Sequence, residues 1–416
     1  MRVLWFTNTP SLYKCKGTGY NGGGWITSLQ KEIAISTDIA LGISFLLENE
    51  PTKAIEDKVC YYPISSPWTS TFSKIKHQID LIKKFSIKEC IPLINKMLWV
   101  IDDFKPDIIE VFGSEQYWGL IAKYTNKPVI LHIQGILNPY NNAFLPPGVS
   151  LCNYIWSPKS IGGIVNKYKS YRFWKNSCER EIKIIKGVKH FIGRTEWDER
   201  VTKVMNPICK YYYGSEILRD TFYKPSKREL PQNLTIVSTI SSPLFKGFDL
   251  ILKTAKLLKD TYKVEFAWKV FGNVSSQYIE KKIKINNDDV NIQLLGVQDA
   301  ETIKEEILHA TCYFHSSYID NSPNSICEAQ ILGCPVISTN VGGISSLIEN
   351  EQNGYLIPAN DPYQATFLIK QLYEDTKLNI EIGENARKTA LLRHDKHNIV
   401  MELISIYKRL LEENCI

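Results

Sequence analysis

The sequence contains no hydrophobic run long enough to cross a membrane as a helix. Its longest apolar stretch, Ile39 to Leu47, has nine residues, whereas a membrane-spanning helix needs about 18 to 20. The apolar start at residues 1–6 is closed by a polar turn and is too short for the core of a secretory signal peptide. We therefore expect a cytoplasmic protein that is either soluble or attached to a membrane surface.

Motifs for metal ions and disulfides are also missing. No Asp-x-Asp triplet occurs, the ten cysteines form no Cys-x-x-Cys pair, and the seven histidines do not combine with them at the spacing of a metal site. A site in which a divalent metal bridges a diphosphate is therefore disfavoured, and we expect neither a metal nor another cofactor. Cysteines without a secretion signal fit a reducing compartment, in which we expect buried free thiols.

The excess of positive over negative charge is small, and it is concentrated in one segment. The chain carries 50 Lys and Arg against 44 Asp and Glu, and its net charge of +6 is too mild to mark a nucleic-acid-binding protein. Between Lys159 and Lys189, however, nine basic residues accompany only two acidic ones, and Tyr168, Tyr171, Phe173 and Trp174 are interleaved with them. This segment is either a contact for an anionic membrane surface and a lipid-diphosphate acceptor, or a solvated helix face.

Short apolar runs alternate with helical patterns along the chain, which is typical of parallel β-α-β units and predicts an α/β protein. A length of 416 residues allows two domains, each with its own core. The polar segment 222–231 is the expected linker. We predict two doubly wound, Rossmann-like domains that face each other across a cleft, at residues 1–224 and 225–396. Residues 397–416 are predicted to form an amphipathic closing helix that could pack back on the N-terminal domain.

A glycine-rich segment follows the first predicted strand. Gly17 to Gly22 matches the Gly-x-Gly-x-x-Gly fingerprint of dinucleotide-binding proteins, but about ten residues separate it from the strand, which is too many for that turn. The segment, including Gly22, Gly23 and Gly24, instead leads into a helix that begins near Trp25. It is either a place where a phosphate or a sugar meets helix amides, or a surface loop with glycine turns.

The most informative segment runs from His315 to Thr339. It is predicted to contain a strand, a polar loop, a helix from near Ser325, and a second strand. Asp320 and Glu328 are separated by seven residues and flank the start of that helix, at the carboxyl end of a parallel strand where open α/β sheets bind ligands. Glu328 is alternatively the second member of a capping box with Ser325. Possible ligand contacts in the intervening loop are Asn321, Ser322, Pro323, Asn324 and Ser325.

At these residues the sequence resembles the retaining glycosyltransferases of the group 1 family (family 4), which have the GT-B fold. The shared pattern is an acid, seven residues and then Glu328-Ala329, followed by the strand entry at 333–336 and the pair Gly342-Gly343. The resemblance implies that Asp320 contacts the donor sugar and that Glu328 holds the ribose hydroxyls. The first acid of the family is usually Glu, and the shorter Asp320 would alter the reach to the sugar and hence the choice of donor.

A second element of the same family is a strand, Gly-Arg, a short loop and Lys-Gly, in which the two cations neutralise the donor diphosphate. Lys246-Gly247 fits this pattern, whereas a small polar residue occupies the Arg position. Arg194 of the first domain is one candidate for the second cation, and its alternative is a surface ion pair with Glu196 or Asp198. Lys246 itself could instead be an ordinary solvated lysine.

His132 lies at the end of the predicted strand 129–133 and is expected to face the cleft. In similar enzymes a histidine at such a strand end sits beside the donor sugar, and Gln134 and Gly135 would then shape the acceptor side. The alternative is a hydrogen-bonded histidine at a strand end, without a role in binding.

These observations predict a retaining, metal-independent glycosyltransferase that moves a sugar from a UDP- or GDP-linked donor to a hydroxyl of a lipid-linked or polysaccharide acceptor. Such a reaction belongs to surface polysaccharide biosynthesis at the inner face of the cytoplasmic membrane. The alternatives are a nucleotide-sugar epimerase or hydrolase of the same fold, and a non-catalytic nucleotide-sugar-binding protein. A nucleic-acid partner is not expected, because no known nucleic-acid-binding module accompanies the basic segment.

Overall fold

In a computed structural model of the protein, the described residues are 1–15, 24–47, 53–68, 79, 82–241, 244–274 and 276–414. The strands that they form are β1 (Arg2–Phe6), β2 (Ala40–Leu46), β3 (Ala54–Glu56), β4 (Val59–Ile64), β5 (Ile108–Phe112), β6 (Val129–His132), β7 (His190–Gly193), β8 (Lys210–Tyr213), β9 (Leu234–Thr239), β10 (Phe266–Phe271), β11 (Ile292–Gly296), β12 (Cys312–His315), β13 (Val336–Thr339) and β14 (Tyr355–Ile357).

The helices of the described residues alternate with these strands. They are α1 (Gly24–Ser36), α2 (Ile91–Phe104), α3 (Leu137–Asn142), α4 (Leu151–Ile155), α5 (Ile161–Gly187), α6 (Glu196–Met205), α7 (Asp220–Tyr223), α8 (Phe248–Leu257), α9 (Gln277–Ile283), α10 (Ala300–Leu308), α11 (Asn324–Ile331), α12 (Pro362–Glu374), α13 (Thr376–Arg393) and α14 (Lys396–Asn414). No helix in the described ranges combines the length and the apolar composition that crossing a bilayer requires.

The chain divides into two compact units. Unit 1 contains Met1–Asn141, Pro158–Ile217 and Asp395–Ile416, and unit 2 contains Asn142–Ser157 and Leu218–His394. The predicted linker 222–231 begins inside α7, where Phe222 is buried against residues of unit 2, so the polar connection is shorter than the sequence indicated. The C-terminal helix α14 is part of unit 1 and packs there against α1 and β5.

Unit 1 is built on an eight-stranded sheet in the order β3-β4-β2-β1-β5-β6-β7-β8, in which only β3 pairs antiparallel. The chain first builds the sheet on one side of β1 and then continues on the other side with β5, so the strand order reverses between these two strands. Central strands are buried on both faces, as parallel strands flanked by helices usually are. On β1, Leu4 and Phe6 enter the main hydrophobic cluster, whereas Trp5 points to the opposite face.

Unit 2 is built on a six-stranded parallel sheet in the order β11-β10-β9-β12-β13-β14. Its two faces carry separate hydrophobic clusters: Ile236 of β9 belongs to one and the adjacent Val237 to the other. Both side chains are fully buried, and full burial of such a side chain contributes roughly 1.5–3 kcal/mol. The strand order reverses between β9 and β12, and ligands of open α/β sheets bind beside such a reversal, outside the carboxyl ends of the strands.

The predicted alternation of strands and helices is confirmed, with small shifts at the ends. The strand expected at 39–47 is β2, and the helix expected near Trp25 begins at Gly24. The helix expected at 248–260 is α8, which ends at Leu257 and continues as a wider π turn over Leu258–Tyr262. Among the cysteines that the structure describes, none forms a disulfide and most are buried, but Cys152 is exposed, contrary to the prediction of buried thiols.

Candidate functional site

Two loops at the strand-order reversal of unit 2 bring opposite charges together. Lys246 ends a single 3₁₀ turn, Leu244–Lys246, that follows β9, and Asp320 lies in the loop that follows β12. Lys246 Nζ donates a hydrogen bond to Asp320 Oδ2 at 2.7 Å. Both residues were predicted as site residues, and the pairing of Lys246 shows that it is not an ordinary solvated lysine.

Asp320 is almost fully buried and contacts several groups besides Lys246. Its Oδ2 lies 3.1 Å from His315 Nε2 and accepts a hydrogen bond from Ser317 Oγ at 3.3 Å, and its Oδ1 accepts one from the backbone N–H of Asn321 at 3.1 Å. Burial acts to raise the pKa of Asp320, but Lys246 and His315 outweigh it and hold the pKa below its usual range. Asp320 is therefore a fixed carboxylate at neutral pH.

Two glycines allow the loops to approach this closely. Gly247 has φ +75° and Gly342 has φ +56°, both in the left-handed region that glycine favours. A β-carbon on Gly247 would lie 1.9 Å from the carbonyl oxygen of Ser316, and one on Gly342 would lie 1.8 Å from that of Asp320. The glycines of the Lys246-Gly247 and Gly342-Gly343 pairs thus hold the backbone around the acid in place.

Glu328 forms a two-pronged ion pair that the sequence did not reveal. Arg219 Nε donates to Glu328 Oε1 and Arg219 Nη2 donates to Glu328 Oε2, both at 2.8 Å. The Glu328 side chain is 5% exposed and that of Arg219 is 34% exposed. The capping-box alternative is wrong, because α11 begins at Asn324 after Pro323 and has no side-chain cap. Arg219 lies 109 residues from Glu328 in the chain, so no local spacing could have identified it.

The five predicted loop residues connect Asp320 to α11. Asn321 and Ser322 are buried, whereas Pro323, Asn324 and Ser325 are half-buried. Because α11 starts at Asn324, its first backbone N–H groups lack helical partners and carry the positive end of the helix dipole. Lys246, the acid and these amides are therefore elements of one surface of unit 2. Within unit 2 taken by itself, the described residues bring no three His, Cys, Asp or Glu side chains within reach of a common ion.

In unit 1, the side chain of His132 is buried at the end of β6. Its side chain is 3% exposed, and its Nδ1 lies 2.9 Å from Glu110 Oε1. The ring packs against Trp25, with centroids 5.0 Å apart, and against Phe112, with centroids 5.5 Å apart and planes 25° apart, and these two rings also contact each other. The contact with Glu110 fits the alternative of a hydrogen-bonded histidine at a strand end, and a place for His132 beside the donor sugar stays a prediction.

Arg194 is also buried, so a surface ion pair with Glu196 or Asp198 does not describe it. Its Nε lies 3.6 Å from Glu216 Oε2, and its guanidinium lies over the Trp25 ring, 4.3 Å from the centroid. Arg194 and His132 thus both contact Trp25 in the first turn of α1. Of the predicted glycines that precede this helix, Gly24 is its first residue, and Gly22 and Gly23 lie outside the described residues.

Gln134 and Gly135 follow β6 and are both half-buried. The backbone N–H of Gly135 donates to Glu115 Oε1 at 3.0 Å. Burial raises the pKa of the Glu115 carboxyl to about 7, with a smaller contribution from the nearby Glu181. Glu115 follows β5 at the carboxyl end of the unit 1 sheet, and that position was the signal by which the sequence could have identified it.

The basic segment 159–189 contains the whole of α5, and its residues have two different environments. In the C-terminal half, Arg180 is buried and lies over the Tyr117 ring, 4.2 Å from its centroid. Arg172 Nε donates to the carbonyl oxygen of Ile82 at 2.9 Å. These two cations join α5 to other parts of unit 1, so the alternative of a solvated helix face does not describe them. The exposed cations of the segment are Lys159, Lys169, Lys183, Lys186 and Lys189.

Comparison with known sequences places this site in a recognised domain. Residues 223–389, about two fifths of the chain, match the family model described as "Glycosyl transferases group 1". The amylovoran biosynthesis glycosyltransferase AmsK of Erwinia amylovora is 24% identical over 202 residues, which cover 46% of this chain and 47% of that protein. The chain spans about half the length, or less, of the curated relatives that it matches.

Solved structures match nearly the whole chain. Sucrose-phosphate synthase from Thermosynechococcus elongatus aligns with a TM-score of 0.71 at 11% identity, covering 99% of both chains. Anabaena HepE, in complex with UDP and glucose, aligns with a TM-score of 0.67 at 14% identity, covering 98% of this chain and 99% of that one. At such low identity these matches show the fold alone, and the predicted GT-B fold with two Rossmann-like units is confirmed.

Proposed function

We propose that the protein is a retaining, metal-independent glycosyltransferase that moves a sugar from a UDP- or GDP-linked donor to a hydroxyl of a lipid-linked or polysaccharide acceptor. The observation that carries the proposal is the Lys246–Asp320 pair at the strand-order reversal of unit 2, inside the region that matches group 1 glycosyltransferases. HepE, which shares the fold, was solved with UDP and with UDP-glucose. That supports a nucleotide-sugar donor for this chain.

The leaving group sets the main chemical requirement. A nucleoside diphosphate departs with growing negative charge, and a site without a metal must meet that charge with fixed cations and oriented N–H groups. Lys246 supplies a cation that is already held in position by Asp320. The first amides of α11 supply N–H donors and the positive end of a helix dipole. The donor diphosphate is therefore assigned to Lys246 and to the start of α11.

The two acids have different tasks in the proposal. Asp320 is ionised and held from several sides, so it can accept hydrogen bonds from the hydroxyls of the donor sugar. Glu328 is held by Arg219, but each carboxylate oxygen has two lone pairs and can accept a further bond from a ribose hydroxyl. His132 is assigned to the support of the sugar while the acceptor oxygen attacks from the front face. The departing phosphate takes the acceptor proton, so the proposed mechanism uses no enzymic base.

The direct test is a transfer assay with labelled UDP- and GDP-sugars and lipid-linked or oligosaccharide acceptors. The proposal requires a product with the same anomeric configuration as the donor, formed in the presence of a metal chelator. An epimerised or hydrolysed sugar without transfer would instead establish the epimerase or hydrolase alternative. If E328A and K246A both leave donor affinity and turnover unchanged, the site is wrongly assigned, and wild-type donor binding without any turnover indicates a non-catalytic binding protein.

We also propose that the N-terminal half of α5 binds an anionic membrane surface, which would bring a lipid-linked acceptor to unit 1. From Ile161 to Lys175 the described structure buries no residue, and Ile161, Val165 and Tyr168 are exposed at the i, i+4 and i+7 positions of one helix face. Lys159 and Lys169 are exposed beside them. Apolar residues flanked by lysines fit the boundary between acyl chains and anionic headgroups.

Sedimentation with vesicles tests this surface. The double variant K159E/K169E should lose most of its binding to vesicles that contain phosphatidylserine, because each basic residue near such a surface contributes about 1 kcal/mol. Its control is K377E/K388E, which reverses two exposed charges of unit 2 and should bind as the wild type does. Equal sedimentation of both variants, or no wild-type binding to anionic vesicles, would reject the membrane proposal.

A further inference from the structure

A chain of hydrogen bonds crosses the interior of unit 1 behind His132. Trp5 Nε1 donates to the Tyr407 hydroxyl at 3.2 Å, the Tyr407 hydroxyl donates to Glu110 Oε2, and Glu110 Oε1 lies 2.9 Å from His132 Nδ1. The Glu110 side chain has no exposed area, and those of the other three residues are also buried. The chain joins three strands to the C-terminal helix: Trp5 is on β1, Glu110 on β5, His132 on β6 and Tyr407 on α14.

The register of the sheet places these groups on one face. Trp5 is paired with Glu110 across β1 and β5, and Phe112 is paired with His132 across β5 and β6. Because Glu110 and Phe112 are two residues apart in one strand, their side chains point to the same side of the sheet. This face is opposite to the one that carries Leu4 and the main hydrophobic cluster. The helix α14, which packs on β5, brings the Tyr407 hydroxyl to the Glu110 carboxylate.

The chemistry of the donors fixes the direction of the protons. An indole N–H can only donate, so the Tyr407 oxygen accepts from Trp5 and directs its own proton to Glu110. Burial and the nearby Glu110 carboxylate raise the pKa of Tyr407 well above its ordinary value, so the hydroxyl keeps its proton. A carboxylate oxygen can only accept, so a neutral His132 ring beside Glu110 carries its proton on Nδ1.

The remaining nitrogen of His132 is then a hydrogen-bond acceptor. Nε2 is buried and has no hydrogen-bond partner among the described residues of the protein. Trp25 and Phe112 both pack against the ring and limit its tilt, while Glu110 fixes its rotation. The imidazole is thus held in one plane, with one tautomer and with its free lone pair in a defined direction.

We propose that Glu110 and Tyr407 are positioning residues that present His132 Nε2 as an acceptor for a hydroxyl of the donor sugar. The inference rests on the proposed function, because it gives His132 the contact with the sugar. It adds that the C-terminal helix, through Tyr407, determines which hydrogen-bonding state His132 offers to the substrate. A buried carboxylate that loses the Tyr407 hydroxyl is left with an unsatisfied oxygen and holds the imidazole less firmly.

The test uses two substitutions that preserve shape. E110Q replaces the carboxylate with an amide that can donate to Nδ1 and so moves the ring proton to Nε2, and we expect kcat to fall by about 10- to 100-fold, because the acceptor for the sugar hydroxyl is lost. Y407F retains the aromatic ring and the carboxylate, and we expect about a tenfold loss in kcat. The matched control is Y61F, which removes another buried tyrosine hydroxyl of unit 1, bonded to Gln30, and should keep the wild-type kcat.

The ring nitrogens of His132 provide a readout that does not depend on activity. In ¹⁵N-histidine-labelled protein, with the His132 signals identified by the H132Q variant, the wild type should show a protonated Nδ1 and an unprotonated Nε2. E110Q should reverse this pattern, Y407F should weaken the Nδ1–H hydrogen bond, and Y61F should change neither nitrogen. The proposal is overturned if E110Q and Y407F leave both signals as in the wild type, or if Y61F lowers kcat as much as Y407F does.

These measurements also separate the two proposals from each other. If the wild-type chain transfers no sugar from any donor, the proposed function fails, and the role of Nε2 as a sugar contact fails with it. The ring signals still determine whether Glu110 and Tyr407 set the tautomer of His132. If transfer occurs but the wild-type ring carries its proton on Nε2, the proposed function stands and the positioning role is wrong.

Discussion

Gly342 lies against the backbone of Asp320 at a distance that no other residue type would allow. A β-carbon at this position would be 1.8 Å from the Asp320 carbonyl oxygen, and the neighbouring Gly343 N–H donates to that same oxygen at 3.0 Å. The turn after β13 therefore packs against the loop that carries Asp320 and stabilises the backbone of that loop. The position of the Asp320 carboxylate depends on a residue that has no side chain of its own.

Substitution of this glycine should damage both stability and donor binding. G342A combines an unfavourable positive φ with a backbone clash, and we expect a loss of more than about 2 kcal/mol in the free energy of unfolding. The control is G296A, at a glycine with φ +67° and no atom within 4 Å of the added carbon, which should lose only about 1 kcal/mol. Urea unfolding of both variants makes the comparison, and equal losses would show that the clash relaxes without cost.

The Arg219–Glu328 pair should matter more than an ion pair at the surface. R219A leaves a buried carboxylate without its partner, and we expect a loss of roughly 1–3 kcal/mol in the free energy of unfolding at pH 7. R200A removes the cation from an exposed pair with Glu196, where both side chains are 74% exposed, and should cost less than about 1 kcal/mol. The double variant R219A/E328Q should recover part of the loss. A loss in R219A no larger than in R200A would contradict the prediction.

Glu115 should make stability depend on pH in a defined window. The pKa of its carboxyl is raised in the folded protein from 4.5 to about 7, so the folded state holds this proton more tightly than the unfolded state does. The contribution of Glu115 to the free energy of unfolding is therefore fully present below about pH 4.5 and decreases as the pH rises towards 7. Above about pH 7 it no longer changes. E115Q lacks the effect, and relative to the wild type it should gain about 2–3 kcal/mol between pH 4.5 and 8. If the free energies of unfolding of E115Q and the wild type change in parallel over this pH range, the prediction is wrong.

Lys246 should contribute to diphosphate binding specifically. We expect K246M to weaken the binding of UDP or GDP about 10- to 100-fold, because a charge-assisted contact to phosphate contributes roughly 1.5–3 kcal/mol. The control is K253M on α8, where the lysine has a similar exposure and pairs with Asp249, and its affinity should match the wild type. Calorimetric titration measures both. If K253M loses as much affinity as K246M, the loss reflects a general disturbance of unit 2 and not a contact between Lys246 and the diphosphate.

The fold and the centre of the donor site could be predicted from the sequence because their signals are local. Alternating apolar runs predicted the two α/β units. The spacing of Asp320 and Glu328 around the start of a helix predicted that both acids belong to the donor site. Lys246-Gly247 followed a strand in the same way. Each of these signals lies within one β-α unit, where chain order and position in space agree.

The partners of these groups could not be predicted, because they come from distant parts of the chain. Arg219 precedes Glu328 by 109 residues and lies next to the segment interpreted as a linker. Tyr407 and Glu110 are 297 residues apart. Of these three partners, only Glu110 could have been noticed in the sequence, because it is a charged residue inside the apolar strand Ile108–Phe112. Such a residue is seldom buried without a paired group.

Because α14 belongs to unit 1, the hydrogen bonds that orient His132 depend on the order in which the chain is synthesised. Glu110 and His132 leave the ribosome before any residue of unit 2 from Leu218 onward, whereas Tyr407 follows the whole of that unit. At about 5–20 residues per second, the 297 residues between Glu110 and Tyr407 correspond to a delay of roughly 15–60 s. The Glu110 carboxylate therefore acquires its tyrosine donor only after Tyr407 has been synthesised, and a polypeptide released between Ile357 and Tyr407 has the strands of both sheets but not the tyrosine that holds His132 in place.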